Sequence, residues 1–312
     1  MSHVQRPRIA VLGSINMDLV ATCDRLPKPG QTLSAQAFSE IPGGKGANQA
    51  VAAARAGGAV RMMGCLGDDG FAERLHQSLL HEQVECNNVL HLTDQTSGVA
   101  MILVDAEGQN QIVVVPGANG QVSPDLVISW ESVIRECDVL LLQLEVPLET
   151  VRRAIELAAA CGTKVILDPA PAPASTDGLT TVDLCCPNET EAAAMTGQSV
   201  ETDAEVEAAA RRLQQMGAAA VAITLGARGV GLLHEDVFQI IAPPAVQVVD
   251  TTAAGDAFAG ATAVRWAESG SLPDAVCWGV IAGALAATKA GAQPGMPLRS
   301  EIESFAQSCH AS

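Results

Sequence analysis

Positive charge is scarce in this sequence: 18 lysines and arginines stand against 35 aspartates and glutamates, for a formal net charge of −17 and a pI near 4.6. A surface of that sign repels nucleic acid and anionic lipid, so neither is expected as a partner. Metal-binding and redox spacings are missing too. The nine cysteines form no CxxC pair and the six histidines no HxH or HExxH pair, which excludes a zinc site of familiar spacing. An odd cysteine count also disfavours a complete disulfide framework. Most of the cysteines stand in apolar runs such as Val182-Asp183-Leu184-Cys185-Cys186, where reduced thiols act as small buried hydrophobes of a cytoplasmic protein. No apolar stretch reaches the roughly 20 residues that span a bilayer. The most hydrophobic, Ala275 to Ala287, reads as a buried helix, and Met1 to Arg8 is polar, without the apolar core of a secretion signal. No internal repeat or low-complexity linker divides the chain, and Pro169-Ala170-Pro171-Ala172-Pro173 is a stiff loop too short to separate domains.

What is present is enough for a large core: 48% of the 312 residues are hydrophobic and 17% charged. Short, uniformly apolar runs (Ile9 to Leu12, Val139 to Leu142, Val165 to Leu167, Ala220 to Ile223) alternate with helical stretches after Lys45, over Leu148 to Ala160 and over Glu205 to Met216. Strands apolar on both sides and separated by helices predict an α/β fold with a mostly parallel central sheet covered on both faces, a single domain over residues 1–312. Two segments, about 17–40 and 97–116, break the rhythm. Gly98 to Val104 and Gln111 to Val115, around the turn Ala106-Glu107-Gly108-Gln109, have the pattern of antiparallel strands and predict a small second sheet.

Two glycine-bearing motifs carry chemistry. In Asp250-Thr251-Thr252-Ala253-Ala254-Gly255-Asp256 a bare turn opens a helix that continues through Trp266. The unpaired amides of such a helix's first turn, reinforced by its dipole, attract phosphate. Asp256 reads either as an N-cap or as a base taking a proton from a hydroxyl that attacks phosphorus. In Gly43-Gly44-Lys45-Gly46-Ala47-Asn48-Gln49-Ala50 the glycines admit close backbone approach, and the helix after them holds Lys45 and Asn48 one turn apart on one face. It is not a Walker loop, since Lys45 is followed by Gly46. Nor does Gly13-Ser14-Ile15-Asn16 continue as the GxGxxG of a nicotinamide dehydrogenase. Four further polar residues, Asn16, Glu145, Asn188 and Thr224, follow apolar runs directly, which in an open α/β sheet places them at the ligand-binding ends of strands.

In this order the two motifs resemble the signatures of the ribokinase-like carbohydrate kinases. So do Leu12 to Asp18, Gly43 to Ala53, Gly64 to Asp69, Pro116 to Asn119, Leu144-Glu145, Pro187 to Glu191, Ile223 to Gly226 and Gly291 to Pro294, which together run nearly the length of the chain. The resemblance implies ATP-dependent phosphorylation of D-ribose at its primary hydroxyl. Asp256 is then the general base, and the amides of Ala253, Ala254, Gly255 and Asp256 form the anion hole. It implies sugar contacts from Ser14, Asn16, Asp18, Gly43, Gly44, Lys45, Gly46, Asn48 and Glu145. Nucleotide contacts fall on Asn188, Thr224, Gly226, Arg228, Gly229, Gly255 and Val280, the last supplying only apolar contact to the base. Glu191 would act on Mg2+ through water, although Asn188 to Glu191 also reads as a helix N-cap with acidic residues in the first turn, and both can hold together. Asp250, Thr252, Ala286, Lys289, Gly291 and Gly295 fall at the positions of an activating K+ site, with Gly295 lacking the hydroxyl common there. The small sheet would be a lid over the sugar and the contact of a homodimer. Deoxyribose or a nucleoside as acceptor, and a catalytically silent sugar sensor, are the alternative readings.

Overall fold

The computed structural model describes residues 6–310, without the side chains of 308–310, so the first five residues of the polar stretch Met1 to Arg8 and the thiol of Cys309 lie outside the described residues. Among the described residues thirteen strands form two sheets: β1 Arg8–Leu12, β2 Asn16–Thr22, β3 Ala37–Gly43, β4 Ala59–Leu66, β5 Glu85–His91, β6 Gly98–Val104, β7 Asn110–Val115, β8 Val139–Leu142, β9 Lys164–Leu167, β10 Leu184–Cys185, β11 Ala220–Thr224, β12 Val230–His234 and β13 Val237–Ile241. The larger sheet has the order β13-β12-β11-β10-β9-β8-β1-β4-β5. It is parallel from β5 to β11, and β12 and β13 add antiparallel at one edge. Its apolar runs are buried on both faces: Ile9 and Val11 join one core while Ala10 and Leu12 join the other, and Val139 and Leu141 alternate likewise with Leu140 and Leu142. Of the apolar run at Val182 to Cys186, only Leu184–Cys185 pairs as a strand.

From β1 the chain builds outward to β4 and β5, then returns to place β8 on the other side of β1. The crevice beyond the ends of β1 and β8 is therefore the switch point at which open α/β sheets bind ligands.

The second sheet has the order β3-β2-β6-β7. Its outer pairs are antiparallel as expected, but the central pair β2–β6 is parallel, with Asn16 opposite Gly98. The reason is topological: β2 follows β1 and β6 follows β5, so both leave the same end of a parallel sheet and run the same way. Residues 23–36 carry neither strand nor helix, so the strands of the first lid segment occupy only its two ends.

The helix of the first glycine motif spans Lys45–Arg55, so the motif is itself helical and Lys45, Asn48 and Gln49 stand in its opening turns. Its N-cap is Gly44, at a φ of 88° that only glycine adopts without strain, and a Cβ there would lie 2.7 Å from the Asn16 amide. The second motif opens the helix Ala254–Ser269. These two helices lie unusually close: a Cβ on Gly260 would sit 2.6 Å from the Ala52 Cβ and 2.8 Å from the Ala53 amide. On the other side Gly283 and Gly279, from the helix Leu272–Ala286, face the Ala254 carbonyl and Phe258. That helix is the apolar stretch expected to be buried, and none of the described helices is long and apolar enough to cross a membrane. The eight described cysteines are free; Cys277, on the outer face of the same helix, is exposed rather than buried.

The Gly260→Ala variant is expected to lose about 1–3 kcal/mol of stability, the cost of overpacking a close contact. Urea unfolding followed by circular dichroism measures it, and an unchanged midpoint would show that the two helices can separate freely.

Candidate active site

Ser14, just beyond β1, and Glu145, just beyond β8, meet at the switch point, where the Ser14 Oγ donates to Glu145 Oε2 at 2.5 Å. The same carboxylate oxygen accepts from the Lys45 amide at 3.1 Å, and the Gly46 amide donates to Ser14 Oγ at 3.3 Å. A serine and a carboxylate thus supply the acceptors that the start of the helix Lys45–Arg55 lacks within itself. Ser14 is fully buried, so it supports the site from beneath. Asn16 opens β2; its Oδ1 accepts from the Asn119 Nδ2 at 2.7 Å, while the Asn119 Oδ1 accepts from the Ile15 amide at 2.9 Å. Two positions on, Asp18 is half-buried with its carboxylate against Gly43, where any Cβ would lie within 2.7 Å of both oxygens. Burial, followed by the charges of Glu145 and Asp256, raises the Asp18 carboxyl to about 7.

Asp256 lies in the first turn of the helix Ala254–Ser269, only 4% exposed. It is not an isolated cap: its two oxygens accept from the Asn48 Nδ2 and the Gln49 Nε2, each at 3.1 Å. The second amide hydrogen of Gln49 goes to Asp168 Oδ2 at 2.9 Å, and Lys45 Nζ donates to that oxygen at 3.3 Å. Burial raises the Asp256 carboxyl to about 6 against the lowering effect of Lys45, and Asp168 adds to the rise. Asp168 itself is raised by burial in spite of Lys45. For Lys45 burial opposes the charged form, but Asp168, Asp256, Glu145 and Glu191 surround it and hold its ammonium well above the usual lysine range.

The turn before Asp256 is built to present amides. Ala253 is left-handed at a φ of 59°, and the first intrahelical bond of this end runs from the Ala257 amide to the Ala253 carbonyl at 2.9 Å. The amides of Gly255 and Asp256 precede that bond and remain as donors. Of the four amides expected in the anion hole, that of Ala254 is turned inward to the Thr251 carbonyl at 3.2 Å. A Cβ on Gly255 would meet nothing within 4 Å, so that residue faces open space. It borders two cavities. One, of about 830 Å³, is lined by Thr224, Gly226, Gly229, Val280 and the apolar loop residues Pro243 and Val246. The other, of about 50 Å³, lies between Lys45, Asp168, Glu191 and Gly255, and Asn188, Thr224 and Phe258 line both.

Asn188 and Glu191 form a reciprocal capping box: Asn188 Oδ1 accepts from the Glu191 amide at 2.9 Å and Glu191 Oε2 from the Asn188 amide at 2.8 Å. Burial and the neighbouring Asp168 raise the Glu191 carboxyl. Arg228 does not itself line the nucleotide-sized cavity: its guanidinium is held at the edge by Glu189, which does line it, and by Asp203 and the carbonyls of Val200 and Glu201, because the acidic starts of two helices compete for it. Asp250 ties the loop before the second motif together, accepting from the Thr252 amide and hydroxyl and from the Gly291 amide. The carbonyls of Ala286 and Lys289 converge beside Gly295, 3.4 and 3.6 Å from where a Cβ would stand, while the Lys289 ammonium pairs with Glu301.

Sequence reasoning passed over Gln49, Asp168, Asn119 and Gln143. Asp168 had a legible signal, since it follows the apolar run Val165 to Leu167 just as Asn16, Glu145, Asn188 and Thr224 follow theirs. Gln49 stood inside the quoted motif, but its importance lies in partners more than 100 residues away.

A family model described as pfkB family carbohydrate kinase matches residues 6–299. Ribokinase of Haemophilus influenzae is 39% identical over 301 residues, 96% of this chain and 98% of that protein. Deoxyribokinase of Salmonella typhimurium is also 39% identical over 301 residues, 95% of this chain and 97% of its own length. The solved structure of Arabidopsis thaliana ribokinase complexed with ribose and ATP superimposes with a TM-score of 0.87 at 31% identity, covering 96% of this chain and 99% of that one.

The raised Asp18 carboxyl sets an expected pH dependence of stability. Below about pH 4 the carboxyl is protonated in both folded and unfolded chains and costs nothing. As pH rises to about 7 the unfolded chain releases the proton first, so the wild type loses stability that the Asp18→Asn variant keeps. Melting temperatures of both proteins from pH 4 to pH 8 should diverge with rising pH; parallel curves would contradict the buried environment.

Proposed function

The chain belongs to the pfkB family of carbohydrate kinases, and on that premise we propose that it catalyses ATP-dependent phosphorylation of D-ribose at its primary hydroxyl, yielding D-ribose 5-phosphate. One observation carries this reading. Asp256 is hydrogen-bonded to Asn48 of the first motif while standing in the helix turn whose Gly255 borders the 830 Å³ cavity. A single carboxylate thereby lies between a polar crevice suited to a sugar and a cavity suited to a nucleotide.

In the proposed mechanism Asp256 accepts the proton of the primary hydroxyl as the hydroxyl oxygen attacks the γ-phosphorus of ATP, and the bond from that phosphorus to the β–γ bridging oxygen breaks to release ADP. A carboxyl raised to about 6 by burial is ionised at neutral pH yet holds a proton better than an exposed one. The amides of Gly255 and Asp256, at the positive end of their helix, hold the transferring phosphoryl group. Asn16, Asp18, Asn48 and Glu145 offer the acceptors and donors that position hydroxyls, and Gly43 and Gly44 let Asp18 and Asn16 pack closely against the first motif. Thr224, Gly226, Gly229 and Val280 line the nucleotide cavity, with Asn188 where it meets the small one.

The donor set fits the two cations that this chemistry uses. The carboxylate of Glu191 borders the small cavity and would hold Mg2+ through water. When bound, that ion neutralises phosphate charge. The converging carbonyls of Ala286 and Lys289, with Asp250 and Thr252, would hold K+; absence of a side chain at Gly295 leaves room beside them. The lid sheet exposes Phe38 at 61%, Met101 at 55% and Val113 at 63%, which the strand register places on one face, an apolar surface that fits a second copy of this chain in a homodimer.

Equal identity to a deoxyribokinase supports deoxyribose as the second reading. ADP release measured with ribose, deoxyribose and a nucleoside should show the highest kcat/KM for ribose; a preference for deoxyribose would select the second reading. The Asp256→Asn variant is expected to lose about 10²–10⁴-fold in kcat while still binding sugar by calorimetry. Wild-type turnover in that variant would remove Asp256 from the chemistry. Turnover should also rise when potassium replaces a bulky organic cation, and equal rates would dispose of the potassium site.

A further inference from the structure

The reading of Asp256 as base leaves unexplained why a second carboxylate, Asp168, is buried beside it. Neither carboxylate reaches the other directly. They share one side chain: Gln49, fully buried, gives one amide hydrogen to Asp168 Oδ2 at 2.9 Å and the other to Asp256 Oδ1 at 3.1 Å. The orientation of that amide is determined from its far side, where Gln49 Oε1 accepts from the Gln143 Nε2 at 2.5 Å. Reversed, it would set its oxygen against two carboxylates and its nitrogen against a donor, leaving buried groups unpaired. Gln143 Oε1, buried without a hydrogen-bond partner, packs against Gly13, where a Cβ would lie 1.9 Å from it. Two amides in series, Gln143 to Gln49, therefore lead to the proposed base.

We infer that Gln49 is a positioning residue for phosphoryl transfer: it locks the Asp256 carboxylate in place and couples it to the Asp168–Lys45 ion pair, so that Asp168 tunes the basicity of Asp256 without touching substrate. The geometry separates this from plain packing. Asp256 Oδ2 accepts from Asn48 and Oδ1 from Gln49, so both oxygens are anchored and each keeps a lone pair for a proton. The charged groups that face Asp256 are Lys45 on the helix Lys45–Arg55, Asp168 beyond β9 and Asp18 on β2. The helix Leu272–Ala286 offers only glycine and apolar atoms to that turn, through Gly279 and Gly283.

The two partners act on Asp256 in opposite senses, and that makes the inference testable. Gln49 stabilises the charged carboxylate by hydrogen bonding, whereas Asp168 disfavours it by like charge. In the Gln49→Leu variant the acidic limb of the kcat/KM profile for ribose is expected to move to higher pH, with kcat reduced about 10–100-fold by the freed carboxylate and KM for ribose changed less than threefold. In Asp168→Asn the same limb is expected to move to lower pH, by roughly one unit. Opposite displacements support the inference. Unmoved limbs, displacements in one direction, or a rise in KM with kcat intact would overturn it. If Gln49→Leu fails to fold by circular dichroism, the near-isosteric Asp168→Asn decides alone: a downward shift supports the coupling and an unmoved limb ends it. The Asp256→Asn variant keeps the two ideas apart. Full turnover there would remove the base itself, and this inference with it, whereas an inactive Asp256→Asn alongside unmoved limbs would end only the role of Gln49 and Asp168.

Discussion

The close pairing of the helices Lys45–Arg55 and Ala254–Ser269 is the constraint on which the rest of the site depends. The two helices begin more than 200 residues apart in sequence, yet Asp256 reaches both Asn48 and Gln49 because nothing larger than hydrogen stands at Gly260 and nothing larger than methyl at Ala52. Interior packing is dense enough that an extra methylene at such a contact is felt. On the proposed reading it would open the distance between a sugar-side motif and a phosphate-side turn, and a displacement of an ångström at a reacting centre costs orders of magnitude in rate.

Charge is arranged around that contact in a way the overall composition conceals. A chain of net charge −17 is a poor host for a phosphate-bearing ligand in general. Within the site the anion-attracting elements are local: a helix start with its amides presented, and Lys45 held firmly protonated by four carboxylates. The carboxylates in turn are crowded and desolvated, and Asp18 and Asp256 both stand above their ordinary range for that reason. On the proposed reading, sugar hydroxyls that donate to these oxygens relieve the strain of burial, and the proton left on the base is the product of the same burial.

The parallel core of the larger sheet was legible because its strands are short runs of Val, Ile, Leu and Ala with no polar face, a pattern that antiparallel surface sheets do not show. The helices at Leu148–Cys161 and Asp203–Gln215 were equally plain from their period. The parallel pairing of β2 with β6 was not legible, because strand direction depends on where the chain leaves the larger sheet and not on local alternation. The helix that holds Lys45 and Asn48 on one face was legible, but not what caps its start: the Ser14 and Glu145 acceptors, which stand just beyond β1 and β8. Arg228 stands beside the nucleotide loop in sequence, but its side chain answers to Glu189 and Asp203, carboxylates that only folding brings near.

By itself the sequence determined the class of fold and marked out the two glycine-bearing motifs, with Asp256 closing the second, because periodicity and glycine spacing are properties of neighbouring residues. Only the tertiary structure decided that Asp168 joins the site through Gln49, that Ser14 and Glu145 cap the first motif from across the switch point, and that Arg228 is held by Glu189 and Asp203. Each of those outcomes depends on which buried donor meets which acceptor. Such pairing is settled by three-dimensional packing and desolvation, to which distance along the chain contributes no information.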